Sequence, residues 1–249
     1  MSRFTDQVAL ITGGSSGIGL ATARRFVAEG AHVVITGRDR RRLDAAVAEL
    51  GDRCVGVAAD VGDPDGVDAA TTAVRERHGR LDIVVANAGT GTFKPFAEIT
   101  VADFERTVAV NFRGVFFTIQ RALPLLAEGA RIVVNASWTL HRGNATASLY
   151  SATKAAVHNL ARTLAAELGP RGVRINSVSP GYIDTPMYPE AELDPAEAAA
   201  NRGRVPAGRF GRPEEVAAAI AFLASPEGSY INGQDLIVDG GLVAVVPGG

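Results

Sequence analysis

The sequence of 249 residues has little of what marks secreted, membrane or nucleic-acid-binding proteins. Its single cysteine, Cys54, excludes an internal disulfide framework and a cysteine zinc site, and fits a reducing cytoplasm. A net charge of −2 gives no basis for binding nucleic acid or an anionic membrane. No apolar run reaches the roughly 18 residues of a membrane span, and the N-terminus has no signal-peptide pattern. We therefore expect a cytoplasmic protein with no metal site, no membrane contact and no nucleic-acid partner.

What the sequence does contain is a regular alternation of short apolar runs and longer amphipathic segments. Seven strands are predicted: VALIT from Val8, HVVIT from His32, CVGVAA from Cys54, DIVVA from Asp82, RIVVNA from Arg131, VRINSVS from Val173 and DLIVD from Asp235. The runs are almost uniformly apolar, as in a parallel sheet that is covered on both faces. Because helical patterns separate them, we predict an α/β fold, with a single doubly wound Rossmann-type domain over residues 1–249 and a mostly parallel seven-stranded sheet.

The first strand ends in a glycine-rich turn, TGGSSGIG, which begins at Thr12. Ligands of doubly wound sheets bind beyond the carboxyl ends of the strands, where this turn lies. Gly13, Gly17 and Gly19 allow a sharp turn and bring a pyrophosphate close to the helix N-terminus. A P-loop is excluded because no lysine follows the glycines, and a tight turn without a ligand is the alternative. We predict a phosphate-binding turn.

The second strand ends at Gly37, where NAD-binding folds usually carry an acidic residue that accepts from the ribose hydroxyls. Glycine leaves room at this position, and the guanidinium of the next residue, Arg38, suits a 2′-phosphate. The sequence therefore favours NADP(H) over NAD(H). Two alternatives stay open: Arg38 as a solvated residue at a helix start, and Asp39 turned inward to offer a carboxylate.

Tyr150 and Lys154 are four positions apart in a helical pattern, so their side chains share one helix face. A nearby ammonium favours the phenolate, so Lys154 is expected to lower the pKa of the tyrosine from its usual value of about 10. Ser137 ends the strand RIVVNAS, where its hydroxyl can reach the same substrate oxygen. Asn111 either serves that site or bonds only to backbone, and Asn87 ends the fourth strand, where an amide can tie strand tips together.

Taken together, these residues resemble the short-chain dehydrogenase/reductase family. The motifs are Thr12-Gly-x-x-x-Gly-x-Gly, Asp60-Val61, Asn87-Ala88-Gly89, Asn111, Ser137, Tyr150-x-x-x-Lys154 and Pro180-Gly181. The resemblance implies a catalytic set of Asn111, Ser137, Tyr150 and Lys154. It implies cofactor contacts from Gly13, Ser15, Ser16, Gly17, Ile18, Gly19, Gly37, Arg38, Asp60, Val61, Asn87, Ala88, Gly89, Tyr150, Lys154, Pro180, Gly181, Ile183 and Thr185.

The resemblance also implies a role for each catalytic residue. Tyr150 would protonate a carbonyl oxygen in reduction or deprotonate an alcohol in oxidation, and Ser137 would hydrogen-bond that oxygen. Lys154 would lower the tyrosine pKa and bond the nicotinamide ribose, while Asn111 would hold a water that links Lys154 to solvent. One departure concerns the position of the serine. The usual family spacing from Asn135 places it at Trp138. The spacing from Arg131 or from Tyr150 places it at Ser137, which has the hydroxyl.

The substrate side is predicted less directly. Residues of about 187–208 lie where the family carries a mobile substrate lid. We expect the pocket wall to include Ser137, Trp138, Tyr150, Tyr182 and Met187, with Thr92 and Phe93 beside them. Such a wall favours an apolar or aromatic ketone or secondary alcohol, although Trp138 and Phe93 fit the core equally well. His141 is expected in a surface loop.

Assembly and reaction class follow from the same resemblance. Alanines at 155, 156, 161 and 165 give the Tyr150 helix a small-residue face, and the family suggests a homotetramer through this helix. A buried contact within the chain gives the same pattern. We predict an NAD(P)-dependent oxidoreductase acting on a small-molecule carbonyl or alcohol, a carbonyl reductase using NADPH. The alternatives are a non-catalytic redox sensor of the same fold and an isomerase or lyase that uses the nicotinamide transiently.

Overall fold

The computed structural model describes residues 2–245, so residue 1 and residues 246–249 of the predicted domain lie outside it. The strands are β1 (Val8–Ile11), β2 (His32–Gly37), β3 (Cys54–Ala58), β4 (Leu81–Ala86), β5 (Leu126–Asn135), β6 (Arg174–Pro180) and β7 (Asp235–Val238). The helices are α1 (Gly17–Ala28), α2 (Arg40–Leu50), α3 (Pro64–His78), α4 (Val101–Val108), α5 (Gly114–Ala122), α6 (Ser148–Leu168), α7 (Pro195–Arg204) and α8 (Pro213–Ala224).

All seven strands join one parallel sheet in the order β3-β2-β1-β4-β5-β6-β7. The chain moves outward from β1 to β3, returns to β4 beside β1, and then moves outward in the other direction. This reversal creates a crevice at the carboxyl ends of β1 and β4, the usual ligand position in such sheets. The predicted doubly wound Rossmann-type fold is confirmed.

Each face of the sheet has its own apolar core. On one face, residues such as Ile11 and Ile35 of the strands pack with Phe26 of α1 and Ile220 of α8. On the other face, Leu10, Val34 and Ile132 pack with residues of α3, α5 and α6. Neighbouring residues of one strand therefore enter opposite cores, which is why the strand sequences are apolar throughout rather than alternating.

Two elements differ from the sequence prediction. Strand β5 begins at Leu126 rather than Arg131, and its pairing with β4 shifts register between Leu81 and Ile83. Gly129 has a φ of +69° in this stretch, a left-handed backbone that apolar periodicity does not reveal. In the predicted lid, α7 occupies only Pro195–Arg204; Asp194 caps it by accepting from the backbone amide of Ala196 at 2.8 Å.

Three features of the structure concern membrane spans, metal sites and the single cysteine. No helix within residues 2–245 is both long and apolar enough to cross a membrane. The same residues hold no group of three or more His, Cys, Asp or Glu arranged to bind a metal ion. Cys54 is a buried free thiol, and burial raises its pKa to about 11, so it is a poor nucleophile at neutral pH.

Candidate active site

A cavity of about 840 Å³ runs along the carboxyl edge of the sheet. It is lined by Ser137, Tyr150, Lys154, Trp138, Tyr182 and Met187, and by every cofactor residue predicted from sequence except Gly19. Gly19 and Asn111 lie behind the wall. One concave surface thus brings together strand tips that are far apart in the sequence.

The glycine turn between β1 and α1 forms one wall of the cavity. Gly13 and Gly17 have φ values of +66° and +52°, a backbone region that favours glycine. At Gly19 a Cβ would lie 2.2 Å from the carbonyl oxygen of Gly13, so a side chain there would force the turn apart. The Gly13 amide donates to Thr36 Oγ1 at 3.1 Å, which joins the turn to the tip of β2.

A chain of polar side chains joins the tips of β1, β4 and β5. Thr12 Oγ1 accepts from the backbone amides of Asn87 and Ala88 at 3.0 and 3.1 Å. Asn87 Nδ2 donates to the Thr12 carbonyl at 3.0 Å, and Asn135 Nδ2 donates to Asn87 Oδ1 at 2.8 Å. Asn87 thus joins strand tips as expected, whereas Thr12 and Asn135, which the sequence identified only as parts of motifs, make structural contacts that were not predicted from it. Asn135 Oδ1 is buried on the cavity wall without a partner among the described residues.

The far end of the cavity lies beside β2 and carries two arginines. Arg38 and Arg42 both line it, and Arg38 Nη1 lies 3.8 Å from Asp60 Oδ2. The Asp39 carboxylate caps α2, accepting from the Arg42 backbone amide at 3.0 Å and from Arg42 Nε at 3.1 Å. A Cβ at Gly37 would lie 2.5 Å from Ser15 Oγ, so a larger residue at the end of β2 would require the Ser15 side chain to move.

Ser137, Tyr150 and Lys154 meet at the centre of the cavity. Ser137 follows the tip of β5, and the other two lie in the first two turns of α6. Burial raises the pKa of Tyr150, and a hydrogen bond with Ser137 opposes that shift. Removal of the phenol from water has the larger effect, so the net shift is upward; the lowering expected from Lys154 stays a prediction. Tyr150 is therefore protonated at neutral pH.

Lys154 is almost fully buried, with 3% of its surface exposed. Its ammonium donates to the Asn135 carbonyl oxygen at 2.7 Å and lies 5.7 Å from the centre of the Tyr150 ring. Burial lowers its pKa to about 8. At neutral pH Lys154 is still charged, so it supplies a positive charge beside the phenol in a region of low dielectric constant.

Asn111 lies in a short π-helical segment, Ala109–Arg113, between α4 and α5. Its side chain accepts from the Thr90 amide at 2.8 Å and donates to the Thr90 carbonyl at 2.9 Å and to Thr153 Oγ1 at 3.2 Å. The two bonds to Thr90 are the backbone bonds expected if Asn111 has only a structural role, and the third goes to a side chain. A Cβ on Gly89 would lie 3.5 Å from Lys154 Nζ and 3.6 Å from Asn111 Oδ1, so the asparagine is nevertheless close to Lys154.

The tail of β6 closes the cavity opposite the glycine turn. The Gly181 amide donates to the Val238 carbonyl at 3.0 Å, and Ile183 and Thr185 line the cavity beyond it. A Cβ on Gly17 would lie 3.4 Å from Thr185 Cβ, so the turn and this tail face each other closely.

Aromatic side chains form the wall on the substrate side. The Phe93 ring lies 5.3 Å from Tyr150 and 6.2 Å from Tyr188. The Trp138 ring lies 5.3 Å from Tyr182, and both are largely buried while still lining the cavity. Of the two residues expected beside this wall, Phe93 lines the cavity and Thr92 does not: its hydroxyl bonds Thr107 at 2.8 Å.

Helix α7, which lies in the segment predicted to be a lid, adds polar groups that the sequence did not single out. Asn201 Nδ2 donates to Tyr188 OH at 3.0 Å, and Arg204 lines the cavity near Tyr182. His141 does not line it; its Nε2 atom lies 2.7 Å from Asp235 Oδ2 on a different surface. The ring thus lies in the loop expected for it, but paired with a buried carboxylate.

Known proteins provide a separate comparison. Residues 13–243 match a family model described as enoyl-(acyl carrier protein) reductase. The chain is 43% identical over 247 residues to cis-4-hydroxycyclohexanecarboxylate dehydrogenase of Sinomonas cyclohexanicum, covering 97% of this chain and 98% of that protein. A short-chain dehydrogenase from Burkholderia cenocepacia J2315, solved with NADP, superimposes with a TM-score of 0.93 at 42% identity, covering 97% and 100%. A 3-ketoacyl-(acyl-carrier-protein) reductase from Brucella melitensis, solved with NADH, gives 0.89 at 34%, covering 96% and 99%.

Proposed function

The chain belongs to the short-chain dehydrogenase/reductase family, and we propose that within it the protein is an NADPH-dependent carbonyl reductase with Tyr150 as its general acid. Membership makes it an NAD(P)-dependent oxidoreductase that acts on CH–OH groups and the corresponding carbonyls. The observation that carries the finer proposal is the meeting of Ser137, Tyr150 and Lys154 on the wall of the cavity that also holds the glycine turn.

The cavity fits a dinucleotide cofactor by its backbone. At Gly13 and Gly17 the wall is backbone in a left-handed conformation without side chains, which lets phosphate oxygens approach amide groups. Asn135 lines the same wall, and its buried Oδ1 atom has no partner among the described residues, as expected of a site that is completed by a ligand. A bound nicotinamide would supply or accept the hydride, and the protein contributes orientation and proton transfer.

In reduction, Tyr150 would donate its phenolic proton to the carbonyl oxygen. The phenol is protonated at neutral pH, which is the form that donates a proton. Ser137 would hydrogen-bond the same oxygen as negative charge develops on it. The Lys154 ammonium, held by the Asn135 carbonyl, would stabilise the phenolate that remains.

The residues beside β2 support NADPH rather than NADH. Arg38 and Arg42 give this end of the cavity two guanidinium groups, which suit a phosphate monoester. Asp39, the residue that would otherwise offer a carboxylate to ribose hydroxyls, is engaged at the N-terminus of α2. Gly37 itself has no side chain, so the end of β2 carries no carboxylate that would repel a 2′-phosphate.

The catalytic assignment is tested with Tyr150→Phe. Loss of the proton donor is expected to lower kcat by about 10²- to 10⁴-fold while the dissociation constant for NADPH stays unchanged. Tyr230→Phe is the matched control, because Tyr230 is fully exposed on the surface. Unchanged turnover by Tyr150→Phe with a verified ketone would overturn the assignment and leave a binding or sensing role for the fold.

The cofactor assignment is tested with Arg38→Ala. KM for NADPH is expected to rise about tenfold or more, since a charge-assisted hydrogen bond is worth roughly 1.5–3 kcal/mol, whereas KM for NADH changes little. Arg40→Ala is the control, because Arg40 pairs with Asp44 on the outer face of α2 and does not line the cavity. An equal loss for both cofactors would refute the role of Arg38 at a 2′-phosphate.

We also propose a homotetramer in the cytoplasm. Ala161 and Ala165 are buried within the chain, so they belong to the intramolecular alternative. Ala155 is exposed, and the neighbouring helices α4 and α5 expose Phe104 and Phe116, which leaves an apolar surface for a second copy. Light scattering of Phe116→Glu against the wild type tests the assembly: the variant is expected to dissociate.

A further inference from the structure

Arg204 is a charged residue on the substrate side of the cavity whose charge the catalytic arrangement does not use. It ends α7, and its Nη1 atom lies 3.4 Å from Tyr182 OH and 3.4 Å from Asn201 Oδ1. Both partners are neutral, and within residues 2–245 no carboxylate forms an ion pair with it. Arg202, two positions earlier, pairs with Glu190. Of the two arginines, only Arg204 offers its charge to the cavity.

Arg204 lies at the opposite end of an apolar wall from the proton donor. Phe93 lies against Tyr150, Tyr188 lies 6.2 Å from Phe93, and Tyr182 lies 6.0 Å from Tyr188. The hydroxyl of Tyr182 then meets the guanidinium. Phe93, Tyr188 and Tyr182 thus form a continuous series of aromatic contacts that links the proton donor to Arg204.

The nearest opposing charge on the same helix is Glu197. Its carboxylate accepts from Tyr188 OH at 2.9 Å and also faces the cavity. Seven residues of helix separate it from Arg204, which is roughly 10 Å along the axis and comparable to the Debye length in physiological salt. The electrostatic energy of a group in contact with Arg204 is therefore set mainly by the guanidinium and not by Glu197. The remaining N–H groups of the guanidinium form a fork suited to a carboxylate.

We propose that Arg204 selects substrates that carry an anionic group, most simply a carboxylate, at the end remote from the reacting carbonyl or alcohol, with an apolar body between them. This inference rests on the proposed function, because it assumes that the carbonyl is positioned at Tyr150. It refines the expectation of an apolar substrate: the aromatic wall holds the body, and Arg204 holds one distal charge.

The first test compares matched keto acids and their methyl esters. Wild type and Arg204→Gln are assayed with 4-acetylbenzoate, with 6-oxoheptanoate and with the methyl ester of each, at saturating NADPH and again at saturating NADH. For at least one pair, the wild type is expected to prefer the acid in kcat/KM. Arg204→Gln should lose about 10- to 100-fold on that acid, chiefly through KM, and change little on its ester.

Two further variants separate charge from folding. Arg204→Lys is expected to keep part of the preference for the acid, and Arg202→Gln is expected to leave it unchanged, because Arg202 is ion-paired away from the cavity. A structural effect of Arg204→Gln would lower acid and ester rates together. Equal losses on both, or a wild type that uses esters as well as the acids, would overturn the proposal.

The second test measures binding without turnover. Trp138 is the only tryptophan of the chain and lines the cavity, so its fluorescence reports a bound ligand. The wild type is expected to bind 6-oxoheptanoate at least tenfold more tightly than Arg204→Gln does. Binding that depends on Arg204 without turnover of any ketone would refute the proposed reductase and support the anion site. Turnover of neutral ketones without such binding would refute the anion site and support the reductase.

Discussion

Replacing Lys154 with methionine measures the cost of keeping an ammonium group inside the protein. The side chain is 3% exposed, and burial lowers its pKa from 10.5 to about 8. One pKa unit corresponds to about 1.4 kcal/mol, so the charged form in the folded state carries a penalty of about 3 kcal/mol relative to the unfolded chain. The penalty is fully present below pH 8, where folded and unfolded chains are both protonated.

The sign of the pH dependence follows from the protons bound. Between pH 8 and 10.5 the folded lysine has released its proton, while the unfolded lysine still holds one. The wild-type free energy of unfolding should therefore rise with pH across this window, by about 3 kcal/mol relative to Lys154→Met. Loss of the bond to the Asn135 carbonyl adds an offset at every pH, so it shifts the difference between the two proteins without changing its slope.

Urea unfolding of wild type and Lys154→Met at intervals from pH 7 to 10.5, without nucleotide, measures this difference. The chain contains one other lysine, Lys94, which pairs with Asp103 near the surface. Lys94→Met is therefore the matched control and should show no comparable rise. A stability difference between wild type and Lys154→Met that stays flat across the window would refute the buried ammonium.

Two more predictions concern the frame around the cavity. Thr12→Val removes the acceptor of two backbone amides and should lower the free energy of unfolding by about 2 kcal/mol or more in urea titrations, whereas the exposed Thr5→Val should change it little. Gly19→Ala places a Cβ against the Gly13 carbonyl and should cost about 2 kcal/mol or more and weaken NADPH binding; Gly143→Ala, where a Cβ meets no atom within 4 Å, is its control. Wild-type stability in Thr12→Val or Gly19→Ala would contradict the corresponding contact.

The sequence predicts the sheet well because strand identity depends on local composition. A parallel sheet covered on both faces needs apolar residues at successive positions, and such runs are visible without knowledge of their neighbours. The beginning of β5 is not predicted by its composition, because the residues before Arg131 are held by pairing with β4 and by the backbone of Gly129. Strand order and register depend on contacts between distant residues, which one sequence does not display.

The site residues likewise divide into those with a local sequence pattern and those that depend on contacts between distant residues. The glycine turn and the Tyr150–Lys154 spacing are local patterns, so the sequence identifies them. The bond from Asn135 to Asn87 joins residues 48 positions apart, and the effect of burial on Tyr150 depends on everything packed around it. Neither has a local signature, which is why the sequence carries no indication of the contact made by Asn135 or of the burial that raises the pKa of Tyr150.

The two halves of the cavity are built differently, and this bears on how one fold serves different substrates. The half that we propose for proton transfer rests on strand tips joined by hydrogen bonds, from Thr12 through Asn87 and Asn135 to Lys154. Changing one member leaves a buried polar group unpaired, so this half resists variation.

The substrate half rests on stacked rings and on α7, whose polar residues face the cavity near its rim. There the exposed Arg204 has neutral partners only, so replacing it leaves no buried charge unpaired. Substitutions in α7 should therefore change which carbonyl compounds are accepted while the stability of the fold and the pH dependence of proton transfer stay nearly constant. Arg204→Gln is the direct case: its unfolding midpoint in urea and its pH–rate profile on a neutral ketone should both match the wild type.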